Sequence, residues 1–221
     1  MKTIVLTGGG TAGHCTPHFA LLDKLEKHFD KIYYIGSKNG IEKRLVEEKN
    51  IPYYEISTTK LKRKITAQNL KIPFEFIKSV NDAKKILEKL KPNVVFSKGG
   101  FVGLPVTIAA NQLKIPVVIH ESDKSMGLAN KIASRFAKRI ITTFPIPIKN
   151  SECYGAIVRE ELASVKRETA LSYYGIKNDK PTLLITGGSS GAKKINETVV
   201  NNLDKLLKKF NILHLVGKNN L

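Results

Sequence analysis

The chain has 221 residues, enough for one large domain or one and a half ordinary ones, and 42% of them are hydrophobic, which supports a core. Its 37 Lys and Arg against 19 acidic residues give a formal net charge of +18, so an anionic partner is expected: nucleic acid, anionic lipid or a phosphorylated substrate. The two cysteines, Cys15 and Cys153, form no disulfide framework, which fits a reducing cytosol. The chain enters a strand without a signal-peptide pattern, and no apolar run has the length of a membrane span. We therefore expect any membrane contact to be peripheral.

Apolar strand patterns and amphipathic helix patterns alternate along the first two thirds of the chain. The predicted strands are Thr3–Thr7, Lys31–Ile35, Tyr53–Ile56, Val94–Ser97, Val117–His120 and Arg139–Thr142. The predicted helices are Pro17–His28, Ile41–Lys49, Ile72–Leu90, Leu104–Leu113 and Leu128–Phe136. Regular alternation of this kind predicts an α/β fold with a doubly wound, Rossmann-like parallel sheet.

The alternation stops at Phe144-Pro145-Ile146-Pro147, where we expect the first sheet to end. We predict a first domain over residues 1–160, a connecting segment with helical character over 161–180, and the start of a second Rossmann-like domain over 181–221. This last part reads as a strand from Thr182, a helix over Lys193–Lys209 and a strand over Ile212–Val216. Two strands and one helix do not bury a sheet on both faces, so we expect the chain to be a fragment of a longer protein.

Two glycine-rich loops follow apolar strands, Gly8–His14 near the start and Gly187–Ala192 in the second domain. Glycines allow a close approach of the backbone to a phosphate, and a helix N-terminus favours negative charge. The first loop fits G-x-G-x-x-G, but the second strand does not end in the acidic residue that a dinucleotide site needs, since Glu42 comes later, so NAD binding is disfavoured. The first loop ends in His14, which is able to accept a proton near neutral pH. It is a candidate general base, the alternative being a phosphate contact or a loop-orienting role.

Other residues near this loop, or at the same edge of the predicted sheet, are weighed as site residues against a structural role. His18 follows His14 at helical spacing, but no Cys or acidic ligand accompanies the pair, so we expect no metal site. Cys15 and His14 are sequence neighbours, which do not face each other on a helix, so a Cys–His nucleophile is discounted. Gly99 and Gly100 follow the fourth strand at its carboxyl end, where ligands bind in such sheets; the alternative is that they only form a tight turn. Glu121 ends the fifth strand and is a candidate carboxylate for catalysis or, equally, for a hydrogen bond to the next loop.

Six ordered blocks together resemble the family of cytosolic N-acetylglucosamine transferases of peptidoglycan synthesis. They are Gly9–His14 with Pro17, Lys98–Pro105, Ile119–Asp123, Gly127–Lys131, Gly155–Arg159 and Gly187–Asn196. The resemblance covers nearly the whole chain. It implies a GT-B fold, in which the N-terminal domain carries a lipid-linked acceptor and the C-terminal domain carries a UDP-sugar. It also implies an inverting transfer from UDP-N-acetylglucosamine to the C4 hydroxyl of the muramoyl sugar of undecaprenyl-pyrophosphoryl-muramoyl-pentapeptide (lipid I), without metal or cofactor.

The resemblance also assigns residues. His14 is the catalytic candidate, and the donor contacts are Thr11, Ala12, Gly13, Asp123, Arg159 and Ser189. The acceptor and pyrophosphate side takes Gly99, Gly100 and Glu121. Many relatives have an Asn-Pro pair just before the position of Arg159, and some have Asn in place of Asp123, so the contacts of these two residues depart from the family pattern. The family's uracil and ribose contacts lie mostly beyond Leu221, so we expect this chain alone to be inactive.

Residues 60–91 hold ten Lys or Arg and three acidic residues, with apolar side chains among them. Basic residues around apolar ones are typical of a contact with an anionic membrane surface, here on the cytoplasmic face. The candidates for this contact are Lys62, Arg63, Lys64, Phe74 and Phe76. By contrast, Ile77, Val80, Ile86 and Leu87 are predicted to belong to the core.

Three other functions remain open from sequence. One is a non-catalytic subunit that recruits a separate donor-binding chain to the membrane, although the start of a donor domain after Thr182 argues against it. Another is nucleic-acid binding, suggested by the charge, but the basic residues are spread widely and no recognition motif is present, so we expect no nucleic-acid partner. The last is a transferase for another sugar and lipid pair.

Overall fold

The computed structural model describes residues 1–58, 72–177, 179–188, 191–217 and 220. Contacts group the chain into two units, Met1–Glu160 and Glu161–Leu221. In the first unit seven strands form one parallel sheet in the order β3-β2-β1-β4-β5-β6-β7. The strands are β1 Thr3–Thr7, β2 Lys31–Ser37, β3 Tyr53–Ile56, β4 Val94–Ser97, β5 Val117–Glu121, β6 Arg139–Thr142 and β7 Ser151–Cys153. The predicted doubly wound α/β fold is confirmed.

Helices connect these parallel strands. They are α1 Thr16–Phe19, α2 Leu22–Glu26, α3 Ile41–Glu47, α4 Ile72–Leu90, α5 Gly100–Gln112 and α6 Leu128–Ala133. A short 3₁₀ turn over Ala12–His14 precedes α1. Two apolar clusters cover the faces of the sheet, one centred on Val5 and Ile119 and the other on Leu6 and Tyr34. Adjacent residues of β1 belong to opposite clusters because side chains alternate along a strand.

Several sequence expectations for the first unit are wrong in detail. The sheet does not end before Phe144, because β7 pairs with β6 at its edge. The helix predicted over Pro17–His28 is broken into α1 and α2. The helix predicted from Leu104 begins at Gly100, directly after β4, so its N-terminus lies at the carboxyl edge of the sheet.

The described part of the long helix α4, Ile72–Leu90, agrees with the predicted helix, and most of its predicted core residues are confirmed. Val80 and Leu87 are buried and Ile86 packs against the same core cluster. The expectation for Ile77 is wrong, since 58% of its surface is exposed. Ile77 follows Phe76 by one position, so the two side chains point in different directions around the helix and only Phe76 reaches the core.

The second unit contains two parallel strands, β8 Thr182–Thr186 and β9 Asn211–Leu215. Its helices are α7 Glu161–Ser164, α8 Arg167–Tyr173, α9 Lys193–Asn201 and α10 Leu203–Leu207. The single helix predicted over Lys193–Lys209 is therefore two helices that meet at Asn202. The strand–loop–helix–strand order agrees with the predicted start of a second Rossmann-like domain.

Candidate functional site: the cavity at the carboxyl ends of β1, β4 and β5

A cavity of about 330 Å³ lies at the carboxyl edge of the large sheet. Its wall is built by the segments after β1 and β4, the end of β5, the loop between β5 and α6, and the first turn of α6. The lining residues are Thr11, Gly13, His14, Lys98, Gly100, Glu121, Ser122, Asp123, Gly127, Leu128, Ala129 and Asn130. Strand order reverses between β1 and β4, and such a switch point is where open α/β sheets bind ligands.

The first glycine loop is fixed by side chains from β2 and α3. The Tyr34 hydroxyl donates to the carbonyl oxygen of Gly8 at 2.7 Å. The buried Glu42 carboxylate accepts from the Gly10 N–H at 3.1 Å and from the N–H and hydroxyl of Ser37. Glu42 was set aside in sequence as a misplaced ribose ligand, and here it holds the loop in place.

His14 lies half-buried in the cavity wall, and its hydrogen bond defines its tautomer. Nδ1 lies 2.8 Å from the carbonyl oxygen of Gly9, which is only an acceptor. Nδ1 therefore carries the proton and donates it, and in the neutral ring Nε2 has a free lone pair. The arrangement suits a group that accepts a proton at Nε2.

Gly100 allows α5 to begin directly against this histidine. Its φ is +77°, and a Cβ there would lie 3.0 Å from both Gly9 O and His14 Nδ1. The preceding residue, Gly99, has a φ of +79° and would place a Cβ 2.4 Å from Asn130 Oδ1. Neither position accommodates a side chain, so these glycines bring the 13-residue helix α5 and its positive end to the cavity.

Glu121 holds the β5–α6 loop. Its carboxylate accepts hydrogen bonds from the backbone N–H groups of Ser122, Asp123 and Gly127 and from Nδ2 of Asn130, at 2.8 to 3.1 Å. The sequence left open whether this carboxylate is catalytic or forms a hydrogen bond to the next loop. The structure shows the hydrogen bond to the loop. Asp123 is exposed at the rim that this loop forms.

Lys98 is a site residue that the sequence pattern alone does not single out. Its side chain is buried, and Nζ contacts Nδ1 of His120 and the hydroxyl of Ser122. Burial lowers the pKa of Lys98 to about 8, against the opposing effect of Glu121 and Asp123. Burial and the Lys98 charge lower the pKa of His120 to about 4, so His120 is neutral at pH 7. The sequence feature that could have identified Lys98 is its position directly after the end of a buried parallel strand.

His18 lies behind the cavity, packed edge-on against Tyr34 and Phe96. Burial, and after it the charge of Lys98, lowers its pKa to about 3, so it is a neutral core residue. Burial also raises the pKa of the Cys15 thiol to about 11, which makes it unreactive at neutral pH. Within the described ranges, no group of three or more His, Cys, Asp or Glu side chains has a metal-binding arrangement.

The other predicted site residues either do not line this cavity or lie outside the described residues. Ala12 belongs to the 3₁₀ turn, and Arg159 is exposed in the segment after β7; among the described residues neither lines the cavity. Ser189, Lys62, Arg63 and Lys64 lie outside the described residues.

The two aromatic residues predicted to meet a membrane differ in exposure. Phe74 is 76% exposed, whereas Phe76 is half-buried, packs against the core and lines an apolar groove with Ile72 and Leu104. None of the helices in the described part of the chain combines the length and apolar character needed to cross a bilayer.

Comparison with known proteins matches the two units to two parts of one family. A profile of the glycosyltransferase family 28 N-terminal domain matches residues 4–142, and one of the family's C-terminal domain matches residues 182–221. A Clostridium perfringens relative, named UDP-N-acetylglucosamine--N-acetylmuramyl-(pentapeptide) pyrophosphoryl-undecaprenol N-acetylglucosamine transferase, is 50% identical over 99% of this chain and 62% of its own length. A Bacillus cereus relative of the same name, numbered 2, is 50% identical over 100% of this chain and 64% of its own.

Solved structures agree with this match. The crystal structure of Acinetobacter baumannii MurG has a TM-score of 0.71 and 30% identity, over 99% of this chain and 60% of that one. A UDP-GlcNAc 2-epimerase from Neisseria meningitidis has a TM-score of 0.62 at 16% identity, covering 97% of this chain and 65% of that one, so it shares the fold alone. The chain spans less than two thirds of the length of the curated relatives described above.

Proposed function

Since the chain belongs to glycosyltransferase family 28, we propose that the whole protein transfers N-acetylglucosamine from UDP-N-acetylglucosamine to the muramoyl sugar of undecaprenyl-pyrophosphoryl-N-acetylmuramoyl-pentapeptide. The observation that carries the proposal is the 50% identity, over nearly the whole chain, with relatives that bear the name of this activity. The activity is proposed for the whole protein because the chain spans 62% and 64% of those relatives.

In the proposed reaction His14 is the general base. The C4 hydroxyl of the muramoyl sugar attacks C1 of N-acetylglucosamine, its proton passes to Nε2 of His14, and the C1–O bond to UDP breaks with inversion. The donation from Nδ1 to Gly9 O supports this role, because it orients the ring and leaves Nε2 free to accept. UDP leaves with the electron pair of the broken bond. Following the family resemblance, we propose no metal and no cofactor.

Substrate contacts are proposed from the family resemblance. The proposed donor contacts are Thr11, Gly13 and Asp123, which line the cavity, together with Ala12, Arg159 and Ser189. Gly99 and Gly100 place the positive end of α5 toward the pyrophosphate of the acceptor. Glu121 acts indirectly, since its carboxylate is occupied by its own loop and fixes the position of Asp123.

We also propose that the protein is attached peripherally to the anionic cytoplasmic face of the cell membrane, where its lipid-linked acceptor is found. The support is the exposure of Phe74 and Ile77 at the start of α4, next to a segment rich in Lys and Arg. Phe76, on the same helix, lines the apolar groove with Ile72 and Leu104. Nucleic acid is not a proposed partner.

The membrane proposal predicts a charge-dependent association. Combined Lys62→Glu, Arg63→Glu and Lys64→Glu changes should weaken sedimentation with anionic vesicles, and added salt should weaken the wild type, because exposed charges are screened over about 8 Å at physiological ionic strength. The matched control is Lys205→Glu, Lys208→Glu and Lys209→Glu, three exposed lysines of the second unit. Equal vesicle binding by both triple variants, indifferent to salt, would contradict the proposed surface.

The transfer reaction is tested with this chain joined to the C-terminal part of the Clostridium perfringens relative that it does not match, since the match covers 62% of that relative. Radiolabelled sugar from UDP-N-acetylglucosamine is expected on lipid I with the joined protein and not with the 221-residue chain alone. A folded joined protein that transfers no sugar to lipid I, or prefers another lipid acceptor, would contradict the proposed function. Sugar transfer by the 221-residue chain alone would contradict the expectation that activity needs donor-site residues beyond Leu221.

A further inference from the structure

Lys98 carries a buried charge without a carboxylate partner. The residue is 2% exposed, and its Nζ contacts only neutral groups, the His120 imidazole and the Ser122 hydroxyl. Among the described residues no Asp or Glu forms an ion pair with it. Glu121 and Asp123 act on it from a distance, and the Glu121 oxygens already accept hydrogen bonds from their own loop. Buried charges in proteins are normally paired, so the counter-ion is missing from the chain itself.

The position of Lys98 indicates where that counter-ion belongs. An ammonium has three N–H donors, two of which are directed at His120 and Ser122, and Lys98 is part of the cavity wall. Gly100, at the N-terminus of α5, lines the same cavity. A bound anion would therefore meet a fixed positive charge and the positive end of a 13-residue helix.

We propose that Lys98 is the anion ligand of this cavity and donates a hydrogen bond to a phosphoryl oxygen of a substrate diphosphate. The inference rests on the proposed function, which supplies two sources of that chemistry: the nucleoside diphosphate of the donor and the lipid-linked diphosphate of the acceptor. The pKa of about 8 leaves most Lys98 side chains protonated at pH 7, and a bound anion would raise it.

Asn130 adds a neutral contact that suits a sugar next to the phosphate. Its Nδ2 donates to His120 O and Glu121 Oε2, which identifies Oδ1 as the remaining acceptor. Oδ1 is buried and, among the described residues, has no donor. A sugar diphosphate provides both missing partners, a phosphoryl oxygen for Lys98 and a hydroxyl donor for Asn130.

The test measures inorganic pyrophosphate binding to the 221-residue chain by calorimetry. Lys98→Met keeps the length of the side chain and removes the charge, and we expect binding about 10- to 100-fold weaker, as for loss of a charged hydrogen bond. The matched control is Lys124→Met, which removes an exposed charge of the neighbouring loop and should change affinity less than about twofold. Equal affinities of the two folded variants would overturn the proposal.

A measurement on the wild type does not depend on whether Lys98→Met folds. The Lys98 side-chain NMR signal is titrated with pH in the presence and absence of pyrophosphate, and its pKa should rise when the anion is bound. No change at saturating pyrophosphate would overturn the proposal.

The source of the diphosphate is identified by repeating the comparison with UDP and with an isoprenyl diphosphate. If UDP binds more weakly to Lys98→Met, the contact belongs to the donor; if the isoprenyl diphosphate does, it belongs to the acceptor. If each probe binds equally to Lys98→Met and Lys124→Met, the proposal is overturned. These assays contain no sugar transfer, so a failed transfer reaction with intact Lys98-dependent binding would reject the proposed function alone.

Discussion

The two glycine-rich loops share a sequence pattern but differ in what holds them. Side chains far along the chain, Tyr34 and Glu42, anchor the loop after β1. In the described part of the loop after β8, the hydrogen bonds are local, from the Gly188 N–H to the Thr186 hydroxyl at 3.2 Å and from the Gly191 N–H to the Gly188 carbonyl oxygen at 3.0 Å. A glycine pattern thus predicts the path of the backbone, whereas the rigidity of the loop depends on side chains supplied by other elements.

The strands beneath the loops explain the difference. All five residues of β1 are buried between β2 and β4, so polar groups from β2 and α3 are close enough to reach the loop. By contrast, β8 pairs with β9 in a two-stranded sheet, and Leu184 is 59% exposed. We infer that the first loop is organised before a ligand binds.

The largest effect on this comparison is expected for Glu42→Ala. The change leaves the N–H groups of Gly10 and Ser37 without their buried acceptor, at a cost of about 3 kcal/mol in the stability of β1 and its loop. Native-state hydrogen exchange of the β1 amides measures this free energy. Glu47→Ala, an exposed position of the same helix, is the control. Equal exchange rates in the two variants would show that the loop needs no anchor from α3.

A smaller effect is expected for Tyr34→Phe. The loss of one hydroxyl leaves the Gly8 carbonyl unpaired and should cost about 1 to 2 kcal/mol by the same exchange measurement. Tyr33→Phe, the neighbouring residue on the opposite face of β2, is the matched control. The interpretation fails if the control destabilises β1 as much as Tyr34→Phe does.

The smallest effect is expected for Thr186→Ala in the second loop. The hydrogen bond it removes is exposed, so the exchange of the Gly188 amide should change by less than about 0.5 kcal/mol. A loss as large as that from Glu42→Ala would mean that both loops are anchored to the same degree.

The sequence predicts the sheet well and its edges less well. β1, β3, β4 and β6 match their predicted ends because apolar runs bounded by Pro, Gly or polar turns have few alternatives. The edge strand β7 was missed because Ser151–Cys153 is short and polar, without the apolar pattern of the central strands.

The cavity is predicted only in part, because many of its contacts join residues that are far apart in the sequence. His14 and the glycines are visible as a local pattern, and the resemblance to a family assigns further residues. The contacts of Lys98 with His120 and Ser122 join positions 22 and 24 residues apart, and that of Glu42 with Gly10 joins positions 32 apart. Such partners become adjacent only once the strand order is known. The first helix after the loop breaks at Ala20 and Leu21, which periodicity alone did not reveal.

The central claim is that His14, oriented by its bond to Gly9, is the base of the transfer reaction. The most direct measurement is the turnover of the joined full-length protein carrying His14→Ala at saturating substrates, with the exposed His28→Ala as the matched control. The account predicts turnover about 10²- to 10⁴-fold lower for His14→Ala, little change in donor KM and wild-type rates for His28→Ala. Unchanged turnover of a folded His14→Ala protein would contradict the claim and leave His14 as part of the loop's scaffold.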